Sequence, residues 1–215
     1  MSPYLAQGGV AIDLGANEGF MSGILSTLSG SAGRVYSFEP SPTTYARLLE
    51  VIDANNYTNV SPYNVGCGSA EGIMALYRPA FSSGLATLRP DAMIDRDRHA
   101  ASTVDVRIVK LDDFLGPKLD RLDFVKIDVE GFEDEVLAGA AGLLQRFKPV
   151  IYIELCGQYL TSSQKALGML HDLGYTIERE SEFDKAMNGT DFIALPAGYQ
   201  SAATDNSVAG TPPRG

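Results

Sequence analysis

The chain is poor in several things, and each shortage removes a class of function. Only two of its 215 residues are cysteines, Cys67 and Cys156. Two thiols so far apart build neither a disulfide framework nor a zinc cluster, and they fit a reducing cytoplasm. Basic residues are outnumbered 17 to 27, for a net charge of -10. That balance argues against a broad electrostatic footprint for nucleic acid and leaves room only for a local basic patch. Nowhere do about 18 apolar residues follow one another, and Met1 to Gly9 has neither a basic start nor a long apolar run. Neither a membrane span nor a secretion signal is expected. Two nucleotide-binding patterns are missing as well. Gly15 and Gly19 are separated by Ala16, Asn17 and Glu18, so there is no G-x-G-x-x-G, and no lysine follows them as a G-x-x-x-x-G-K-[ST] loop requires. A pyrophosphate cofactor and a nucleoside triphosphate both lose ground.

What is present is organised around Val10-Ala11-Ile12-Asp13-Leu14-Gly15-Ala16-Asn17-Glu18-Gly19. This reads as a strand, a tight glycine turn and a helix start, whose free N–H groups face whatever occupies the turn. In an open parallel sheet, the space beyond the carboxyl end of a strand is where a nucleotide-like ligand binds. An acid at Asp13 would repel a pyrophosphate and attract an ammonium or sulfonium charge.

The rest of the chain repeats this unit. Helical spacing over 20–28 is followed by an apolar strand over 34–38, and Ser41 then caps a helix with Pro42 in its first turn. Further strands are expected over 60–65, 72–77, 104–111, 124–129, 150–155, 175–178 and 192–195, with helices over 133–147 and 162–173. Residues 79–103 carry little apolar periodicity and read as a surface excursion and candidate acceptor loop; those from 197 to 215 read as a flexible tail. With 45% hydrophobic residues, one α/β domain over 1–196 with a doubly wound sheet is expected.

In such a sheet Asp13, Glu39, the turn after Val65, Asp128 and Glu154 fall at carboxyl ends of strands along one rim. Glu39, stiffened by Pro40, stands where an acid accepts hydrogen bonds from both hydroxyls of a ribose. S-adenosylmethionine suits the pattern: Asn17 and the turn hold its amino-acid end, Asp13 favours its positive charges and Glu39 takes its ribose. Asp128 and Glu130 raise one another's pKa, which makes either a general base or a site for a divalent cation such as Mg²⁺. Glu133 lies at a helix start, where an acid favours the dipole without doing chemistry. Glu154 reads equally as a structural carboxylate and as a substrate contact. In the excursion His99 could take the acceptor's proton and Arg89, Arg96 and Arg98 could bind an anionic acceptor, but all four are more simply read as surface groups. Two other classes share the sheet: a NAD-type oxidoreductase, and a non-catalytic binding protein.

Asp13-Leu14-Gly15-Ala16-Asn17-Glu18-Gly19, Phe38-Glu39-Pro40, Leu111-Asp112-Asp113 and Lys126-Ile127-Asp128-Val129-Glu130-Gly131-Phe132-Glu133 resemble, in order, the signature segments of the FkbM-type methyltransferases. The resemblance runs from about Val10 to Leu195. It implies a Rossmann-like class I methyltransferase fold, a mostly parallel seven-stranded sheet with the last strand antiparallel. It also implies S-adenosylmethionine as donor and a hydroxyl acceptor on a small molecule or sugar, making the chain an O-methyltransferase. Carried over residue by residue, it places Asp13, Gly15, Asn17 and Gly19 at the methionine end, Glu39 with Pro40 at the ribose, and Asp128 near the reacting methyl. Val65 stands at the adenine wall where family members often have alanine. Many members also carry a longer segment before the first strand, so an N-terminal lid is either absent here or supplied by another subunit of a homo-oligomer.

Overall fold

The computed structural model describes residues 3–79, 85–90, 101–178 and 190–200. The tail beyond 200, most of the expected excursion with Arg96, Arg98 and His99, and residues 179–189 lie outside them.

Seven strands form the main sheet, in the order β3-β2-β1-β7-β8-β10-β9. They are β1 Val10–Leu14, β2 Arg34–Phe38, β3 Val60–Tyr63, β7 Phe124–Ile127, β8 Val150–Leu155, β9 Tyr175–Ile177 and β10 Thr190–Pro196. All pairs from β3 to β8 are parallel, whereas β10, the last strand in the chain, runs antiparallel to both β8 and β9. The chain winds outward from β1 through β2 to β3, then returns to the other side of β1 at β7. The strand order therefore reverses at β1, and the crevice between the carboxyl ends of β1 and β7 is the topological switch point.

Period-2 alternation sorts the strand residues onto two faces. Ile12, Leu14, Tyr36, Phe38, Val125, Ile127, Ile151 and Ile153 belong to one apolar cluster; Ala11, Val35, Phe124 and Val150 belong to the other. Phe38, Phe124 and Phe192 are among the largest fully buried side chains, and each such residue contributes about 1.5–3 kcal/mol by leaving water. Helices α1 Phe20–Ser29 and α2 Pro42–Ala54 connect the first three strands. As the sequence predicts, Ser41 caps α2, its side chain accepting from Thr44 N, with Pro42 in the first turn.

Two elements depart from expectation. The strand predicted over 60–65 ends at Tyr63, and Gly66–Cys67 becomes β4 of a second sheet, ordered β4-β6-β5 with β5 Gly72–Arg78 and β6 Ser102–Val109. Asn64 makes the exit, its amide donating to the carbonyls of Glu39 and Pro40 at 2.9 and 3.0 Å. The helix predicted over 133–147 is two helices, Glu133–Gly139 and Ala141–Phe147. The carboxylate of Asp112 reaches across to accept from Gly142 N and Leu143 N at 2.9 and 2.8 Å. Those first-turn amides of the second helix have no partner inside it.

Candidate active site

A cleft of about 730 Å³, open solvent included, lies over the switch point and is lined by residues from β1, β2, β4, β5, the turn after β7 and the segment 85–90. The turn after β1 forms its floor. Gly15 has φ +74, and a Cβ there would stand 1.8 Å from the carbonyl oxygen of Asp128, so no other residue lets the ends of β1 and β7 approach so closely. Asn17 is left-handed too, with φ +49, a conformation asparagine tolerates better than most.

At the end of β2, Glu39 is only 7% exposed. Its two carboxylate oxygens accept from the backbone N–H groups of Asn17 and Ser41, each at 2.9 Å. Burial raises its pKa, while the two amides and then Lys126 pull it back toward the charged form. Beyond Glu39 the wall is apolar, with Phe38, Pro40, Val65, Leu76, Ala86 and Leu88 lining it. Cys67 also lies on this wall, its thiol pushed up by burial.

The far side is acidic. Asp128 follows β7, Glu130 comes two residues later and Glu154 lies on β8; carboxylate oxygens of the three come within 4.8 Å of one another. Burial, then the charges of Asp128 and Glu133, push Glu130 up to about 7. Burial, then a hydrogen bond with Asp128, push Glu154 up to about 8. Glu133 is raised to about 7 by burial, although it accepts from Gly131 N at 3.0 Å and Val129 N at 3.4 Å. It stands at the expected helix start, but these partners are amides of the turn before the helix, so it fastens that turn. The spacing of the three acids is compatible with oxygen ligation of a divalent cation, and magnesium rests on that spacing alone.

One cation underlies this arrangement. Lys126 is buried beneath the switch point, its amine 3.4 Å from Asp13 and 3.3 Å from Asp128, and it donates to the carbonyls of Leu14 and Gly15 at 3.3 and 2.7 Å. Burial by itself would lower its pKa; Asp13 and Asp128 outweigh that, and the net shift is upward.

The structure divides the predicted site residues. Gly15, Asn17, Glu39, Pro40, Val65, Asp128 and Glu130 line the cleft. Asp13 does not reach it: the side chain is fully buried, accepts from Ser22 Oγ at 2.6 Å and pairs with Lys126. The expectation that Asp13 faces a ligand is corrected to a buried counter-charge, because its alternation puts it on the covered face with Ala11. Gly19 also lies off the cleft, packed against Leu48 at the start of α1.

Residues 85–90 are likewise corrected. They were expected on a surface excursion, yet Thr87 is fully buried, and Ala86 and Leu88 wall the cleft. Arg89 is taken up by Asp134, at 2.8 Å, and by Glu135. Sequence reasoning passed over Lys126, Thr87, Cys67 and Phe132. Only Lys126 carried a signal, a lone cation inside the apolar run of β7.

The family model of the methyltransferase FkbM domain matches residues 13–177. The chain belongs to the FkbM methyltransferase family. Methyltransferase 1 of Beauveria bassiana is 25% identical over 189 residues, covering 79% of this chain and 73% of that protein. Hexuronic acid methyltransferase AglP of Haloferax volcanii is 32% identical over 143 residues, covering 65% and 53% respectively. Among solved structures, methyltransferase FkbM from Methylobacillus flagellatus KT shares the fold with a TM-score of 0.59 at 18% identity, over 90% of this chain and 48% of that one. Fibrillarin from Aeropyrum pernix, solved with natively bound S-adenosyl-L-methionine, does so with a TM-score of 0.54 at 14% identity, over 89% and 68%. The chain thus spans about half the length of the Haloferax and Methylobacillus proteins. Among the described residues no helix is long and apolar enough to cross a membrane. Three of the four FkbM signature segments put residues on the cleft, whereas Asp112 of the fourth accepts from Gly142 N and Leu143 N.

Proposed function

We propose that this FkbM-family chain is an S-adenosylmethionine-dependent O-methyltransferase, acting in the cytoplasm on a hydroxyl of a small molecule or sugar. The observation that carries the reading is the polarity of the cleft. A carboxylate fixed by two amides stands at one end, an apolar wall lies beside it, and a crowd of carboxylates stands at the other end.

That sequence of surfaces fits the donor. Glu39 offers acceptor oxygens to ribose hydroxyls, the wall of Pro40, Val65 and Leu88 accepts an adenine ring, and Asp128 favours the ammonium and sulfonium charges. Gly15 and Asn17 would hold the amino-acid end. Bound there, S-adenosylmethionine supplies a methyl group whose transfer breaks a carbon–sulfur bond and forms a carbon–oxygen bond on the acceptor.

The chain's own contribution is positioning and proton handling. An alcohol is a weak nucleophile until its proton leaves, and a base is most effective when its pKa lies near the working pH. Glu130, raised to about 7, meets that condition and takes the proton. Asp128, paired with Lys126 at 3.3 Å, stands beside it. The name of the Haloferax relative favours a sugar acceptor, and the acidic balance of the chain disfavours nucleic acid.

Calorimetric titration tests the donor. S-adenosylmethionine and S-adenosylhomocysteine are expected to bind and NADH to fail, with magnesium present and absent. Binding of NADH alone would overturn the reading. Transfer of labelled methyl to a panel of sugars and small hydroxylic compounds then tests the reaction; no transfer to any of them points to a binding protein that keeps the fold.

A further inference from the structure

We propose that Thr87 is a positioning residue for Glu130, and that the segment 85–90 thereby sets the geometry of proton transfer; this rests on the reading of Glu130 as the base. The starting observation is the backbone of Glu130. It has φ +52, and Gly131 follows at φ +93. A glutamate in the left-handed region is uncommon, and such residues persist at sites where the surroundings over-determine them. Here the surroundings are identifiable. The next residue cannot change, because a Cβ on Gly131 would stand 2.4 Å from the Tyr159 ring.

The polar groups of this turn are met by side chains from elsewhere. The carboxylate of Glu133 accepts from Gly131 N and Val129 N, while the hydroxyl of Thr87 donates to the carbonyl of Glu130 at 2.6 Å. Thr87 is itself held firmly. Its backbone pairs with Tyr77 in both directions at 2.9 and 3.0 Å, and its oxygen accepts from Arg89 N at 3.0 Å. Arg89 in turn grips Asp134 through contacts at 2.8 and 2.9 Å and lies 5.5 Å over the Phe132 ring. The segment is therefore tied to β5 on one side and to the Glu133–Gly139 helix on the other, with one hydroxyl aimed at the turn between them.

That hydroxyl is the only part of Thr87 the argument needs. Thr87→Val keeps the shape and removes the donor, while Thr87→Ser keeps the donor. Three measurements on the full chain test the role. Amide exchange at Gly131 is expected to quicken about tenfold in the valine variant and stay near wild type in the serine variant, with exchange at Gly15 to Asn17 unchanged. The kcat for methyl transfer is expected to fall about tenfold, with the acceptor KM and S-adenosylmethionine affinity within twofold of wild type. The serine variant restores kcat.

Unchanged exchange at Gly131 would overturn the proposal. So would faster exchange with unaltered kcat, or a loss of cofactor affinity in step with a loss of melting temperature, which is the pattern of a purely structural residue. If the wild-type protein methylates no hydroxylic acceptor, the role of Glu130 falls and this inference with it. That outcome is recognisable because it appears without any variant.

Discussion

The ends of β2 and β7 carry the same kind of side chain on the same rim, and the two are built in opposite ways. Glu39 is given two backbone amides, one for each oxygen, whereas Glu130 is given acids for neighbours. Burial raises the pKa of both. At Glu39 the amides and Lys126 oppose that rise; at Glu130 the charges of Asp128 and Glu133 add to it. A carboxylate's role thus follows from the donors around it more than from its place on the sheet. The first is arranged to accept hydrogen bonds from a ligand, the second to exchange a proton.

Lys126 ties the end of β1 to Asp128 after β7, and removing it is the largest perturbation available. Lys126→Met leaves Asp13 buried without its cation and takes the donor from the Gly15 carbonyl. Breaking a buried pair from one side costs about 3–5 kcal/mol, so urea denaturation should show a loss of that size. Adding Asp13→Asn should recover part of it. A single variant as stable as wild type would show that the pair contributes nothing to the switch point.

The contrast itself is tested next by Glu130→Gln, which should lower kcat about 10²–10⁴-fold while leaving S-adenosylmethionine affinity within twofold. In the wild type, kcat/KM should rise with pH through about 7 and then level, as Glu130 loses its proton. A profile already flat below pH 6 would mean that another group, or none, takes the proton. Glu39→Ala should give the reverse split. Losing a hydrogen-bonded charge from the ligand costs about 1–3 kcal/mol in cofactor affinity, with kcat nearly unchanged once the donor saturates. If both variants lost only kcat or only affinity, the two ends of the cleft would not be distinct.

How much of this was legible depends on the period of the signal. Strand ends carrying Asp13, Glu39, Asp128 and Glu154 stand out because an acid terminates each apolar run, and β2 and β8 are found at the predicted residues. The side a residue faces was harder. Asp13 ends its run as Glu39 does, but it shares a face with Ala11, and only the register Asp13↔Lys126 with Asp13↔Ser37 shows that this face is covered there. Thr87 gave no local sign, since its partner Glu130 lies 43 positions away and the residues around it have neither helical nor strand period. The break at Ala140 was likewise hidden, because the apolar spacing continues through it and the cause is Asp112 on a distant element.

The smallest expected effect concerns Glu130, Glu133 and Glu154 and separates them from Glu39 by stability instead of activity. Glu130 and Glu133 are raised to about 7 and Glu154 to about 8, whereas a glutamate in the unfolded chain titrates near about 4.3. Between those values the folded protein binds more protons than the unfolded one, so stability contributed by these groups is greatest at the acid end and is lost as pH rises toward 8. The melting temperature should therefore fall from pH 5 to pH 8. Glu154→Gln, which removes the highest of the three titrations and keeps a donor for Asp128, should make that fall shallower, mainly in its upper part. Glu39→Gln should affect the slope less, since two amides there favour the charged form. A wild-type melting temperature that rises over this range, or a Glu154→Gln slope equal to the wild type's, would mean that the three carboxylates do not hold protons in common and that Glu154 belongs with the structural acids.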